Sequence, residues 1–182
     1  LSNQRQDQYG GSLENRMRLT LEVLAEVLEV VPQGFPVGVR ISATDWMESQ
    51  ADASWTLESS VELAKQLEKV GAAYVHVSSG GLHEKQHIDI EPNYQVPFAA
   101  EIKQHVHIPV IAVGLITESQ QAEMIVRHHQ ADAIALARAI LYDPRWVWHA
   151  AVSLGEPIQV APQYLRSQPH GFKNLFHAFS ES

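Results

Sequence analysis

The sequence predicts an α/β fold on a parallel sheet, and three observations lead there. Four short, almost continuously apolar runs recur along the chain, at residues 36–42, 72–81, 108–114 and 131–137. Each is followed by a stretch whose apolar residues fall at three- and four-residue steps. Gly, Pro, Ser or Thr marks most of the junctions. Strands apolar along their whole length are buried on both faces, which is the situation of parallel strands covered by helices. Right-handed crossovers then leave two architectures, an open doubly wound sheet or part of a (β/α)8 barrel. A complete barrel takes about 250 residues, whereas this chain has 182, with four strands behind one orphan helix. A barrel reading makes it the second half, strands 5 to 8.

The orphan helix starts near Ser12, a natural N-cap, and carries Met17, Leu21, Leu24, Leu28 and Val31 on one side before Pro32 and Gly34 stop it. "PVGVRIS" is the first strand, and "TLESSVELAKQLEKVG" the helix after it, with Gly71 where a C-terminal cap belongs. "AAYVHVSSGG" reads as strand and turn, and after a loop to Pro97 "FAAEIKQHV" reads as helix. "IPVIAVG" is the third strand, followed by a helix that Thr117 is expected to cap. "ADAIALA" is the fourth, followed by a helix over "DPRWVWHAAVSLG" with Pro144 in its first turn. The expected domains are a half-barrel over residues 1–155 and an irregular tail over 156–182, packed on the barrel or on a neighbouring subunit.

Composition narrows the function. Thirteen basic residues against 21 acidic give a net charge of −8, the wrong sign for wrapping phosphate backbones, so nucleic acid is not an expected partner. The longest apolar run, "IPVIAVGLI", is too short to cross a bilayer, so no membrane role is expected. The absence of cysteine excludes disulfide and thiolate chemistry and fits the cytoplasm. A first residue of Leu rather than Met suggests a piece of a longer protein.

In parallel α/β folds ligands bind at the C-terminal ends of strands, which directs attention to Arg40, to Ser78 through Gly81, to Gly114 and to Arg138. Arg40 sits among apolar residues, where a permanent charge needs either an anionic ligand or an internal salt bridge. Gly114 allows a close backbone approach. A phosphate could rest between it and the amides around Ala137 and Arg138, as barrel phosphate sites do after strands 7 and 8. The ten histidines include close pairs, but none has a completed ligand spacing, so no metal is expected. Trp146 and Trp148 are expected to pack, whereas Trp46 and Trp55 lie in the loop after the Arg40 strand, where they could face a ligand.

"LSNQRQDQYGGSLENR", "PVGVRIS", "VSSGG", "QVPFAAEIK", "AVGLIT", "ALARAILYDPRW" and "APQYLR", in this order, closely resemble the C-terminal half of the Old Yellow Enzyme family, in its bacterial branch of NADPH-dependent ene-reductases. The resemblance extends to about Arg166. It implies a (β/α)8 barrel holding FMN, NAD(P)H as reductant, and an activated alkene such as an enone as substrate. Arg40 then resembles the arginine at the pyrimidine edge of the flavin. Ser79 and Gly80 resemble the turn beside the ribityl chain. Gly114, Ala137 and Arg138 resemble the residues around the phosphate, Ala137 standing where many members have Gly. Arg166 resembles an arginine that reaches into a neighbouring subunit's site, which implies a homo-oligomer. The stretch from Arg5 to Arg16 becomes a brace, with Asp7 pairing to an Arg. The family's substrate-orienting and proton-donating side chains precede the part matched here, so pairing with a missing N-terminal half is the other expected assembly. Two further readings stand beside this one: a non-catalytic, self-associating half-barrel that at most binds a phosphate-bearing ligand, and a related flavin barrel such as a dienoyl-CoA reductase. The lack of cysteine argues against an iron–sulfur version of the latter.

Overall fold

The computed structural model describes residues 2–47 and 54–179, and the C-terminal end of the expected tail, residues 180–182, lies outside them. The chain forms two compact units. One comprises Leu1–Leu115 with Ile125–Ala135, the other Ile116–Met124 with Leu136–Ser182.

The first unit carries a four-stranded sheet of β1 (Gly38–Ser42), β2 (Tyr74–Ser78), β3 (Val110–Ala112) and β4 (Ala133–Ile134), all parallel and in sequence order. Helix α1 (Leu13–Val30) precedes β1, α2 (Leu57–Val70) joins β1 to β2, and α3 (Val96–Lys103) leads into β3. This is the strand–helix alternation of a (β/α)8 barrel, of which the chain supplies four strands. Ser12 caps α1, its Oγ accepting from the Asn15 amide at 3.3 Å. Gly71 closes α2 at φ 113°, with its amide bonded back to Leu67 and Glu68.

The sheet has two unlike faces because side chains alternate along each strand. Ile41, Val75, Val77, Val110 and Ala112 point one way and are buried, with Leu63, Leu67, Ala99 and Ile102 of α2 and α3 also fully or nearly buried. Gly38, Arg40, Ser42, Tyr74, His76, Ser78 and Ile111 occupy the alternate positions, and none of them is fully covered. On that face the Tyr74 ring lies over Gly38, so close that a Cβ at Gly38 would meet its carbons at 2.3–2.4 Å. The base of the sheet is tied by Asp132, which accepts from the Val110 amide at 2.8 Å and forms an ion pair with Lys103. Burial alone pushes the Asp132 carboxyl up, but the Lys103 ammonium and the Val110 amide outweigh it and hold it below its ordinary value.

Ahead of α1, the crowded loop is built on itself. Asp7 pairs with Arg5 and accepts from the Tyr9 amide at 3.0 Å, while Arg5 lies over the Tyr9 ring and the Tyr9 hydroxyl reaches Glu22 at 3.0 Å. Gly10 is required by contact, since a Cβ there would fall 2.0 Å from the Arg5 carbonyl oxygen.

In the second unit, α5 (Arg138–Tyr142) and α6 (Trp146–Leu154) precede β5 (Ile158–Val160), a 3-10 turn (Pro162–Ser167) and β6 (Phe176–Ala178). β5 and β6 pair in parallel, and Val160, Leu175 and Phe176 form a small core with Trp148, Val152 and Ile158. Trp148 meets Tyr164 and Phe176 edge-on at 5.2 and 5.1 Å, with Arg145 over both Trp148 and Tyr164.

Several boundaries differ from the sequence reading. Helix α4 (Ser119–Arg127) begins after Glu118, so Thr117 is a residue too early to be the N-cap; the Thr117 and Glu118 amides donate instead to the Gln121 side chain. Pro144 lies in the turn before α6, whose first residue is Trp146. β4 is two residues long rather than seven, and the short helix α5 follows it without any periodic signal.

Candidate functional site

The residues that follow β2 and β3 meet at one buried side chain, Gln95. Gln95, immediately before α3, donates from Nε2 to the Ser79 carbonyl at 2.9 Å and to the Tyr94 hydroxyl at 2.8 Å. Gly114, after β3, lies against it: a Cβ at Gly114 would stand 3.0 Å from the Gln95 Cβ and 3.1 Å from its backbone nitrogen. The Gly114 carbonyl also accepts from the Asn93 amide at 3.0 Å. From the loop after β1, Trp46 donates through Nε1 to the Ser79 hydroxyl at 3.0 Å and packs on Tyr94 and Phe98. Gly80 follows at φ 85°, turning the chain away from the strand end.

Arg40 is exposed and projects from the open sheet face. Its Nη1 stands 2.9 Å from Nε2 and 3.3 Å from Nδ1 of His76, the residue paired with it on β2. Among the described residues no carboxylate bridges the guanidinium, so the internal salt bridge weighed from sequence does not form there. Burial, and then the Arg40 charge, hold His76 below its ordinary value of 6.5. Two positions along the same face, the Ser42 Oγ is buried with no hydrogen-bond partner in the described structure. An unneutralised cation and an unspent hydroxyl on one face suit a ligand rich in acceptors or negatively charged.

Ala137 and Arg138 belong to the second unit and open α5. Ala137 has φ −118°, a value that needs no glycine. No side chain caps α5, and among the described residues no carboxylate pairs with the exposed Arg138. Arg166 lies exposed on the 3-10 turn. Trp55, which sequence left open as a ligand contact, instead donates from Nε1 to the Ser60 hydroxyl at 2.6 Å with Arg16 over its ring. A concavity of about 640 Å³ in the second unit, between Thr117 and Ser153, holds none of the sequence-predicted site residues.

His76 and Gln95 escaped the sequence reading. The strand "AAYVHVSSGG" does place His76 two residues before the expected strand end on the Arg40 side of the pleat, and that alternation was the available signal.

Four parallel strands in sequence order, each followed by a helix, define the chain as part of a (β/α) barrel. The chain belongs to the NADH:flavin oxidoreductase / NADH oxidase family, whose model matches residues 1–156. It is 43% identical over 166 residues to an NADPH dehydrogenase of Geobacillus sp. (strain WCH70), covering 91% of this chain and 47% of that one. It is 39% identical over 150 residues to an NADH oxidase of Thermoanaerobacter brockii, covering 80% and 22%. Among solved structures, a 2-naphthoyl-CoA reductase in complex with 2-naphthoyl-CoA matches at TM-score 0.72 and 25% identity, covering 85% of this chain and 23% of that one. A morphinone reductase in complex with tetrahydroNAD matches at TM-score 0.59 and 26% identity, covering 97% and 42%. The chain spans about half the length of NADPH dehydrogenases such as the Geobacillus one. FMN is the family's cofactor and NAD(P)H its reductant; its named members are NADPH dehydrogenases and NADH oxidases.

Proposed function

We propose that the chain is the FMN-binding C-terminal half of an NAD(P)H-dependent ene-reductase. The observation that carries this reading is Arg40, a permanent cation that no carboxylate among the described residues neutralises, on the open face of a parallel sheet. When bound, FMN supplies the redox chemistry by which NAD(P)H reduces an activated alkene such as an enone. Arg40 holds the electron-rich pyrimidine edge of the ring and stabilises negative charge there. Ser79 and Gly80 line the ribityl chain, with Gln95 and Trp46 holding their loop in place. Ala137 and Arg138 would offer the phosphate backbone amides and one guanidinium. Arg166 acts in the site of a neighbouring subunit. The substrate is a small-molecule alkene, and the absence of cysteine supports work in the cytoplasm.

The assembly partner is a second copy of this chain or the N-terminal half of the barrel. An apolar groove of about 390 Å³ along β1, lined by Leu19, Val23, Val27, Val37 and Val39, supports such a partner, since β1 is the edge of the sheet.

The test is a visible absorbance scan of the purified chain before and after incubation with FMN and desalting. The expected result is flavin retained near one-to-one, lost in Arg40→Leu. A protein that stays colourless rejects FMN binding by this chain and leaves the phosphate-ligand scaffold reading. NADPH oxidation dependent on an enone, measured with the two halves together, tests the reaction.

A further inference from the structure

The guanidinium of Arg40 meets an imidazole where a carboxylate would be the ordinary partner. β1 and β2 pair in parallel with Arg40 opposite His76, so the two side chains rise side by side on one face, from backbones about 4.8 Å apart. Sheet register puts the two residues side by side, and their side-chain conformations complete the contact. Arg40 Nη1 stands 2.9 Å from Nε2 and 3.3 Å from Nδ1, which puts it over the face of the imidazole rather than along either in-plane lone pair. We infer that His76 is a positioning residue for Arg40, holding the guanidinium against its neutral ring and releasing it on protonation, so that binding of an anionic ligand edge at Arg40 carries a pH step set by His76.

The chemistry allows only this sense. Arginine donates and never accepts, and it keeps its proton at any ordinary pH. Over the ring face the attraction is that of a cation for the π-electrons of a neutral ring, and the imidazolium does not offer it. An imidazolium adds a second positive charge about 3 Å from the first, so protonation turns attraction into repulsion. Burial of the ring and the Arg40 charge both favour the neutral form, so the contact is intact at neutral pH and fails on acidification. Around His76, the facing charge is Arg40 from β1; Ile111, opposite on β3, carries none, and Tyr74 is the other titratable side chain on this face of β2. Helices α2 and α3 pack on β1, β2 and β3, and their core positions match the opposite face.

The inference rests on the reading of Arg40 as the cation that meets the flavin, so the experiment has one arm that needs no flavin. In the chain without FMN, the imidazole proton resonances of His76 are titrated by NMR in the wild type and in Arg40→Leu. Losing the neighbouring charge is expected to move the His76 midpoint upward toward 6.5. In the second arm, FMN affinity is measured by fluorescence quenching from pH 5 to 8 in the wild type, His76→Gln and His76→Leu. The phosphate of FMN itself titrates near pH 6, so the step is read as the difference between wild type and His76→Gln, whose amide is polar and uncharged at every pH. Wild-type affinity is expected to fall by up to about tenfold per pH unit beyond the His76→Gln curve below the His76 midpoint. At pH 7.5 His76→Gln should bind within about threefold of wild type, and His76→Leu about tenfold more weakly. An unmoved midpoint in Arg40→Leu, or identical pH curves for wild type and His76→Gln, overturns the role of His76. No quenching by the wild type at any pH overturns the flavin reading instead, and the NMR arm separates the two failures.

Discussion

At Gly114 a side chain is excluded twice. Its φ of 127° lies where L-residues are strained, and a Cβ would press on the Gln95 Cβ and backbone at 3.0–3.1 Å. Gly114→Ala is expected to cost about 1–3 kcal/mol, read as a lower urea midpoint with an unchanged slope. Because Gln95 also holds the Ser79 carbonyl, flavin retention should weaken with it. The titrating residues set two pH windows. The His76 midpoint is depressed in the folded chain, so the stability it contributes is full above about 6.5 and is lost as pH falls through the lower folded value. Asp132 is also depressed, so its contribution is present above 3.8 and disappears further into acid. Urea unfolding at intervals between pH 7.5 and 3 should show the first decline in wild type and lose it in His76→Gln; a curve flat from 7.5 to 5 removes the His76 assignment. The residues legible from sequence were those whose type conflicts with a buried strand end, Arg40 and Gly114 above all. Arg40 and His76, by contrast, are 36 positions apart, and their contact depends on register, which no local pattern encodes.

Among the elements, α1 and α2 show what end signals decide. The Ser12 hydroxyl accepts from the Asn15 amide, so Ser12→Ala should cost about 1 kcal/mol through one unsatisfied donor. Leu67, fully buried near the end of α2, carries more weight: Leu67→Ala should cost about 2–5 kcal/mol from lost burial and the cavity left behind. Thermal melts of the two variants order them, and a Leu67→Ala loss no larger than that of Ser12→Ala means α2 does not anchor the sheet. Both helices were readable because Ser12, Thr56 and Gly71 bracket long periodic stretches. The helix α4 begins at Ser119 rather than after Thr117, and Gln121 reaches back to accept from the Thr117 and Glu118 amides, a contact no local pattern at Thr117 announces. β5 and β6 stayed hidden because three-residue strands have no measurable period, and the Gln168 side chain fixes the entry to β6 by accepting from the Leu175 and Phe176 amides.

For the whole molecule, the deciding feature is the unpaired side of β1. β2, β3 and β4 follow it in order, so β1 offers backbone groups that no strand of the sheet answers. Beside it α1 exposes Leu19, Val23 and Val27, and the groove between them is apolar apart from Thr20 and Arg40. Edges of this kind are covered in native proteins, and a copy of the same chain or the other half of a barrel can supply the cover. Sedimentation of the purified chain over a hundredfold range of concentration should therefore show self-association. Val23→Asp, at a position 54% exposed and so of little consequence for the core, should weaken it by about tenfold or more through an unpaired charge in an apolar contact. A wild type that stays monomeric throughout would mean that copies do not close this edge, and would leave the N-terminal half as its partner. Wild type and Val23→Asp associating alike would place the contact elsewhere, on a surface where this groove plays no part.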